Sequence, residues 1–495
     1  MSVPARLAEL FHETFGVAPA AVLPLESHGS NRLRFRLVGP NHRTAIGVFG
    51  PDRNENRAFL AFARAFRAIG LPVPEVYRAD EGHRVYLEED LGDTTLFEAL
   101  EAARRAAPQE PFPAALRPVY ERVLAWLPRF QIEGHHVVDY RLAYPRAAFD
   151  CQSILWDLNY FKYHFLKLAY IPFHEARLER DFRELARFLL AAERDFFLYR
   201  DFQSRNVMLR DGAPWFIDFQ GGRRGALQYD VASLLYDAKA ALPPAVREEL
   251  LVFYLNELAR HRPVDREAFV AFYRGYVLVR IFQAMGAYGY RGFFERKVRF
   301  LQSVPPAIDN LDHLLRHDLW PPVRLPELRA VVERICQQET LRRRPVAVPA
   351  GLTVTITSFS FRRGYPEDAT GHGGGFVFDL RALHNPGRYA EFADLSGRDA
   401  PVARFLHRRP EVRRVWRHVR ALVTFQVEEY LRRGFTSLSV AFGCTGGQHR
   451  SVFFAETLAR YLRRRFPGVH VELVHREQAQ WAQPTARAAG EPSPS

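Results

Sequence analysis

The sequence of 495 residues has few cysteines, few lysines and no long apolar run. Its three cysteines, Cys151, Cys336 and Cys444, lie far apart and in no metal-ligand spacing, which excludes a disulfide framework and a zinc ribbon. The longest apolar stretches are interrupted by Arg, Glu or Pro, and the first residues lack the apolar core of a signal peptide. We therefore expect a cytoplasmic protein that does not span a membrane.

Lysine is nearly absent: only four of the 69 basic residues are lysine, and the first of them is Lys162. The net charge of +13 favours acidic partners but says little about the fold. With 47% hydrophobic and 25% charged residues, the composition is that of an ordinary globular protein, and the length predicts about three folding units.

The first 320 residues carry the pattern of a small sheet followed by helices. Residues 33–37 alternate apolar and basic, and residues 44–49 follow after a turn, which predicts two antiparallel strands. From Glu55 to Gly70, phenylalanines recur at helical spacing, which predicts an amphipathic helix against this sheet. Thr95 and Glu98 have the spacing of a capping box, and residues 113–320 are mostly helical in pattern apart from short strands around 205–219.

Three oxygen-bearing side chains lie close together in the sequence: Asp201, then Asn206, then Asp218 twelve residues later. Phosphoryl transfer needs a carboxylate that orients and deprotonates the attacking hydroxyl, and oxygen ligands for the magnesium on the nucleotide phosphates. Asp201, Asn206 and Asp218 supply that set in that order. The competing interpretation is that all three are ordinary turn residues. The strands around them, however, also match the order of elements in kinase-like folds.

In this order of elements, residues 20–320 resemble the aminoglycoside phosphotransferase and choline kinase superfamily, whose fold is protein-kinase-like. The segments YRDFQSRNVML, IDFQGG and YDVASLLYD are most similar to AmgK-type anomeric kinases of N-acetylmuramate or N-acetylglucosamine in peptidoglycan recycling. The resemblance implies ATP and magnesium as cofactors, Asp201 as catalytic base, and Asp230 as a support of the catalytic loop. It implies Asn206 and Asp218 as metal ligands and the following nucleotide-binding residues: Gly29, Ser30, Asn31, Arg32 and Glu89.

One departure from that superfamily is the missing lysine that normally pairs with a helix glutamate. The expected strand reads AIGVF, and we place Gly47 at the lysine position. Glu55 therefore has no lysine partner, and nucleotide contacts must come from Arg32, another arginine or backbone donors. A non-catalytic pseudokinase half remains an alternative for this reason.

The remainder of the chain predicts a separate α/β domain beginning near residue 351. A strand ending at Phe442 leads into a glycine-rich loop from Gly443 to Arg450 and then a helix, which directs several backbone N–H groups and the Arg450 guanidinium at one point. This construction indicates an anion site. The spacing of Cys444, Arg450 and Ser451 is also that of cysteine-dependent phosphatases, which leaves a phosphatase as a further alternative.

Residues 351–478 are similar to the C-terminal domain of RapZ, an adapter family that binds glucosamine 6-phosphate and small regulatory RNA. The resemblance rests on SFSFRRGYP, FVFDLRALHNPGRY, LSGRDAPVARFL and FGCTGGQHRSV. It implies a sugar-phosphate pocket formed by Asp379, Arg381, Cys444, Thr445, Gly446, Gly447, His449 and Arg450. RNA binding through the arginines of this domain is a weaker implication, because an arginine-rich solvated helix face gives the same pattern and no Walker-type loop occurs.

We thus predict an α+β protein-kinase-like fold, with a small sheet in the N-lobe and a mostly helical C-lobe, followed by a separate α/β domain. The predicted segments are an N-lobe at 1–92, a C-lobe with the catalytic loop at 93–325, a helix and linker at 326–350, the RapZ-like domain at 351–478 and a disordered tail at 479–495. The predicted function is an ATP-dependent sugar kinase with a regulatory amino-sugar-phosphate domain. An RNA-binding adapter is the competing class, and a homo-oligomer stays open.

Overall fold

The computed structural model describes residues 2–25, 32–295, 297–342, 351–366 and 375–481. The chain divides into two compact units, one formed by residues 1–287 and 303–342 and the other by residues 288–302 and 343–495. The predicted phosphate-covering turn of Gly29, Ser30 and Asn31 lies outside the described residues, as do residues 343–350 of the linker and the tail from 482. No helix among the described residues is long and apolar enough to cross a bilayer.

The first unit opens with helix α1 (Val3–Phe15), which the sequence patterns did not predict. Leu7, Leu10 and Phe11 of α1 are buried against one face of an antiparallel sheet with the strand order β1-β2-β3-β5-β4. Helix α2 (Arg53–Ala68) begins at Arg53, two residues earlier than predicted. The strands are β1 (Ala21–Leu25), β2 (Leu33–Val38), β3 (Thr44–Phe49), β4 (Val76–Ala79) and β5 (Val85–Glu88).

The register of β3 corrects the position assigned to Gly47. A Cβ atom on Gly47 would lie 2.7 Å from the Leu37 side chain and 2.9 Å from Leu7, so this residue faces α1. Side chains alternate along a strand, and Ile46 is directly opposite Glu88 of β5 on the other face. The residue of β3 that faces the interior of the unit beside Glu88 is therefore Ile46, and Gly47 is not the lysine-equivalent position.

The part of the first unit after β5 is mostly helical, as predicted. Its centre is α4, which contacts both α8 and strand β6. The predicted catalytic segment lies on two short antiparallel strand pairs, β6 with β9 and β7 with β8. The strands are β6 (Phe196–Leu198), β7 (Val207–Arg210), β8 (Ala213–Phe216) and β9 (Arg223–Gly225). The helices of this unit after β5 are α3 (Leu96–Ala106), α4 (Arg117–Val137), α5 (Cys151–Phe161), α6 (Glu175–Leu190), α7 (Gln228–Leu235), α8 (Pro244–Ala259), α9 (Arg266–Gly289), α11 (Val304–Arg316), α12 (Pro326–Gln337) and α13 (Glu339–Arg342). The end of α9 from residue 288 and the short helix α10 (Val298–Leu301) belong to the second unit.

The second unit contains a parallel sheet with the strand order β11-β12-β10-β13, which is the predicted α/β arrangement. Helix α16 packs on β10, β12 and β13, and its side chains Phe454, Leu458 and Leu462 belong to one buried core with the sheet. The elements are β10 (Thr353–Ser360), β11 (Gly375–Asp379), α14 (Ala400–Arg408), α15 (Pro410–Arg432), β12 (Ser437–Cys444), α16 (Arg450–Arg465) and β13 (His470–His475). The glycine-rich loop thus leaves the carboxyl end of β12, where parallel sheets bind ligands.

Candidate phosphotransfer and anion-binding sites

The loop after β6 is held by a buried carboxylate. Asp230 of α7 accepts hydrogen bonds from the backbone N–H groups of Tyr199, at 2.8 Å, and Arg200, at 3.0 Å, which is the supporting role predicted for it. Arg200 has a left-handed backbone conformation with φ of 82°, and its guanidinium forms a bidentate pair with Asp157 at 2.6 and 2.7 Å. Such strained residues persist only where surrounding contacts fix them, so the direction of the next residue, Asp201, is set by the core.

The three predicted oxygen-bearing residues lie together. The Asn206 side-chain amide donates to the backbone oxygen of Asp201 at 2.8 Å and lies 3.4 Å from Oδ2 of Asp218. Asp218 also has a left-handed backbone, with φ of 70°, and its Oδ1 accepts from the Gln220 amide at 2.8 Å. One amide and one carboxylate at the same point are the oxygen donors that magnesium takes in phosphotransfer sites, so the donor set fits this ion.

The charge environment of Asp201 suits a proton acceptor. Burial raises the pKa of Asp201, while Arg200 and Arg280 oppose the rise and Asp218 adds to it. A general base works best when its pKa lies near the operating pH. The direction of the shift is therefore the one that such a role requires.

Two arginines of the N-lobe occupy the region where a lysine is expected. The Arg32 side chain is 2% exposed, and its Nη2 lies 3.4 Å from Oε1 of Glu55 on α2. Arg34, two residues along β2 and on the same face, has its Nη2 3.7 Å from Oδ1 of Asp218. An ion pair between sheet and helix is thus present although the lysine is absent. The sequence analysis named Arg32 but missed Arg34, whose signal was the alternation of basic residues in LRFRL.

Two neighbouring glutamates at the end of β5 face different surroundings. Glu89, predicted to bind nucleotide, pairs with Arg210 through Oε1 at 2.6 Å. Glu88 is 6% exposed, its Oε2 has no hydrogen-bond partner among the described residues, and the charges that act on it are those of Arg34, Arg32 and Asp218. Burial raises the pKa of Glu88 to about 7. The acidic residue that shares the region of the candidate metal ligand is therefore Glu88, which sequence reasoning missed.

The glycine-rich loop of the second unit closes around a sulfur atom. The Gly447 N–H donates to Cys444 Sγ at 3.2 Å, and the Ser451 hydroxyl lies 3.1 Å from the same sulfur. Gly447 has φ of 71°, where a side chain is strained, and Gly446 is exposed with open space beside it. Thr445 is held to the neighbouring strand because its backbone oxygen accepts a hydrogen bond from the Ser360 hydroxyl of β10 at 2.7 Å.

Arg450 contacts both the glycine-rich loop and the segment that follows β11. Its Nη1 donates to the backbone oxygens of Arg381 at 2.9 Å and Leu383 at 2.8 Å, and its Nη2 lies 3.4 Å from the Thr445 hydroxyl. Nε of Arg450 is buried and has no partner among the described residues, and burial lowers the pKa of the guanidinium. The arginine therefore links the segment after β11 to the loop, with Nη1 on that segment and Nη2 beside Thr445.

Asp379 and Arg381 lie at the exposed end of β11, on the segment that Arg450 holds. They form a salt bridge at 2.6 Å, and the hydrogen bonds from Arg381 lower the pKa of Asp379. His449 is anchored differently, with Nε2 2.9 Å from the backbone oxygen of Phe392, and burial lowers its pKa. The structure thus brings the predicted sugar-phosphate residues to one end of the parallel sheet.

The turn at Gly397 packs directly against the glycine-rich loop that follows β12. The Gly397 N–H donates to the backbone oxygen of Gln448 at 2.9 Å. A Cβ atom on Gly397 would lie 2.1 Å from the backbone oxygen of His449 and 2.4 Å from the backbone nitrogen of Phe453. The turn and the loop are therefore in direct backbone contact.

The comparisons with known families agree with this division. Residues 21–264 match the model described as the phosphotransferase enzyme family, and residues 352–479 match the RapZ C-terminal domain. The first unit is therefore a kinase-like phosphotransferase domain, as the resemblance implied. The chain as a whole combines that domain with a RapZ C-terminal domain.

Individual relatives match one part of the chain each. A nucleotide-binding protein of Acidithiobacillus ferrooxidans is 42% identical over 128 residues, which cover 26% of this chain and 40% of the relative. A nucleotide-binding protein of Methylibium petroleiphilum is 42% identical over 144 residues, covering 29% of this chain and 42% of the relative. The chain thus spans about two fifths of the length of these curated relatives.

Among solved structures, the chain is similar to an amicoumacin kinase in complex with AMP-PNP, Ca²⁺ and Ami, with 13% identity and a TM-score of 0.42. That match covers 58% of this chain and 84% of the kinase. The choline kinase of Streptococcus pneumoniae matches with 15% identity and a TM-score of 0.42, covering 62% of this chain and 98% of the kinase.

Proposed function

We propose that the first unit transfers the γ-phosphoryl group of ATP to a hydroxyl of an amino sugar, N-acetylmuramate or N-acetylglucosamine. The observation that carries the proposal is the Asn206 amide, which lies 2.8 Å from the backbone oxygen of Asp201 and 3.4 Å from the carboxylate of Asp218. The Nδ2 atom of Asn206 makes both contacts, which supports a site shared by the proposed proton acceptor Asp201 and the proposed metal ligand Asp218. The sugar acceptor rests on the resemblance of the catalytic segments to anomeric kinases.

In this proposal Asp201 orients the sugar hydroxyl and accepts its proton as the new bond to phosphorus forms. Asn206 and Asp218 would hold magnesium, which neutralises charge on the phosphates when it is bound. The ADP that leaves carries the electron pair of the broken bond. Arg32 and Arg34 supply fixed positive charge on the same side as Asp218. In other kinases a lysine supplies this positive charge.

We further propose that the second unit binds an amino-sugar phosphate, glucosamine 6-phosphate, and reports its level to the kinase. The glycine-rich loop that leads into the N-terminus of α16, and the Nη2 group of Arg450 beside the Thr445 hydroxyl, support an anion at this point. A cysteine-dependent phosphatase would also need a carboxyl group as general acid. Two nearby candidates for that role already have partners within this unit. Asp379 pairs with Arg381, and Asp399 accepts from the backbone and hydroxyl of Ser396 at 2.7 and 2.9 Å. RNA binding by this unit stays a prediction.

The test is a phosphorylation screen of free sugars with magnesium and ATP on the full chain, with and without glucosamine 6-phosphate. We expect ADP and a sugar phosphate to form in equal amounts from N-acetylmuramate or N-acetylglucosamine. Calorimetry with glucosamine 6-phosphate tests the second unit separately. If no sugar is phosphorylated under either condition, the first unit is a pseudokinase; if no heat of binding appears, the regulatory ligand is wrong.

A further inference from the structure

The helical part of the first unit contains a cavity that none of the functions above uses. It lies among α8, α9 and α11, and its volume is about 240 Å³. Its walls are mainly apolar and include Leu251, Val270, Val277 and Leu314. An apolar cavity of roughly 150 Å³ is already large enough for benzene, so this one accommodates a larger organic molecule.

A buried cation forms part of the wall. Arg247 of α8 is 5% exposed, and its Nη1 donates to Oδ1 of Asn310 at 2.6 Å. Its guanidinium carbon lies 4.3 Å from the ring centroid of Tyr236, which also lines the cavity. Its Nε–H is buried and has no hydrogen-bond partner in the part of the chain that the structure describes. Arg247 is one of the residues that line the cavity, so a ligand with an acceptor group would meet a buried guanidinium there.

The other charged groups of the wall favour an anion. Arg274 adds a second positive charge, and Glu248, on the exposed side of α8, supplies the one carboxylate among the lining residues. Burial lowers the pKa of His313, so this residue adds no positive charge at neutral pH. The balance is one net positive charge beside an apolar space.

We propose that this cavity binds a monocarboxylate with an apolar body of about six to eight carbons, with the carboxylate on Arg247 and the chain among the aliphatic side chains. A cation would meet two arginines, and a neutral alcohol would leave the positive charge uncompensated. None of the lining residues belongs to the catalytic set or to the anion loop. The proposal therefore stands independently of the kinase assignment.

The experiment is calorimetric titration of the full chain with octanoate, 1-octanol and octylamine. We expect saturable binding of octanoate, at least about tenfold weaker binding of octanol, and none of octylamine. Equal affinities for octanoate and octanol would overturn carboxylate recognition. The absence of saturable octanoate binding in the millimolar range would overturn the site.

Three variants locate the site. Val270→Trp, at a partly exposed lining position, fills the cavity and should abolish octanoate binding, whereas Val252→Trp, on the exposed side of α8, should leave it unchanged. Arg247→Met keeps the aliphatic stem and should weaken octanoate binding at least about tenfold without affecting octanol. Because Arg247→Met also breaks the bond to Asn310, its melting temperature is measured in parallel. Unchanged octanoate affinity in Val270→Trp would contradict the proposal whatever the arginine variant does.

Discussion

The Nη2 atom of Arg32 lies 3.4 Å from Oε1 of Glu55, so the arginine just before β2 pairs with the helix carboxylate that pairs with a β3 lysine in other kinases. Glu55 has no lysine partner, as the sequence indicates, but its carboxylate lies beside an arginine. This pair changes what nucleotide binding should depend on.

We predict that Arg32→Ala and Glu55→Ala each weaken binding of magnesium-ATP, because each removes one charge of this ion pair. A charge-assisted contact contributes about 1.5 to 3 kcal/mol, or roughly ten- to a hundredfold in Kd. The double variant should lose little more than either single variant, which calorimetry of all three can measure. Arg57→Ala, an exposed arginine on the same helix, serves as the control. Fully additive losses would show that the two residues act separately.

The second prediction concerns the base. Asp201→Asn should reduce sugar phosphorylation by between about a hundredfold and ten thousandfold while ATP still binds, because only the proton acceptor is lost. The matched control is Asp211→Asn, an exposed turn aspartate with φ of 52°, a conformation that asparagine tolerates well. Rates are compared by ADP release. A variant Asp201→Asn that keeps wild-type turnover would remove this residue from the mechanism.

The third prediction concerns the strand register. Gly47→Ala should destabilise the first unit by about 1 to 3 kcal/mol, because its Cβ would lie within 3 Å of the Leu37 and Leu7 side chains. Thermal unfolding followed by circular dichroism would measure the loss. Gly82→Ala provides the control, since its Cβ would meet nothing nearer than the far end of the Asp80 side chain at 3.3 Å. If the two variants melt together, Gly47 does not face α1.

The comparison of Gly47 with Asn206 explains what the sequence can and cannot predict here. Asp201, Asn206 and Asp218 lie within one short segment, so their spacing and the strands around them were enough to predict that the three lie together. The face of Gly47 depends on a register in which a one-residue offset reverses every side chain, and the apolar run AIGVF does not reveal it.

Contacts between distant parts of the chain were equally hidden. The bonds from Arg450 to the backbone oxygens of Arg381 and Leu383 join residues 69 and 67 positions apart, and no local pattern encodes them. Helix α1 was missed for a different reason. Its apolar residues Leu7, Leu10 and Phe11 have helical spacing, but the expectation for this segment concerned only the pattern of a signal peptide.

The fourth prediction uses the raised pKa of Glu88. A carboxyl with a folded-state pKa of about 7 binds its proton more tightly in the folded protein than in the unfolded chain, where the ordinary value is 4.5. Stability contributed by this group therefore falls as the pH rises from about 4.5 to 7 and stays low above that range. Glu88→Gln should match the wild type near pH 4.5 and exceed its unfolding free energy at pH 8, by an amount on the order of 3 kcal/mol.

Urea unfolding of the full chain at the two pH values would measure this difference. Glu89→Gln makes the same change one residue further on, where the carboxylate pairs with Arg210, and should not reproduce the gain at pH 8. A Glu88→Gln variant that is less stable than the wild type at pH 8 would contradict the burial argument.

The fifth prediction separates binding from hydrolysis in the second unit. Arg450→Ala should abolish binding of glucosamine 6-phosphate, because the anion loses its donors and the segment from 380 to 383 loses its anchor. Cys444→Ser should weaken binding only modestly, since a hydroxyl can accept from the Gly447 N–H in place of the sulfur. Phosphate release that disappears in Cys444→Ser would instead make this unit a phosphatase.

The backbone contact at Gly397 has a consequence for transplanting this anion site. The space for a Cβ is occupied by the main chain of His449 and Phe453, so no other amino acid fits at that position without moving the loop. A graft of residues 443–451 onto another parallel sheet would lose the surface that shapes it. The smallest portable unit is therefore discontinuous, and it must include the turn around Gly397 together with the loop.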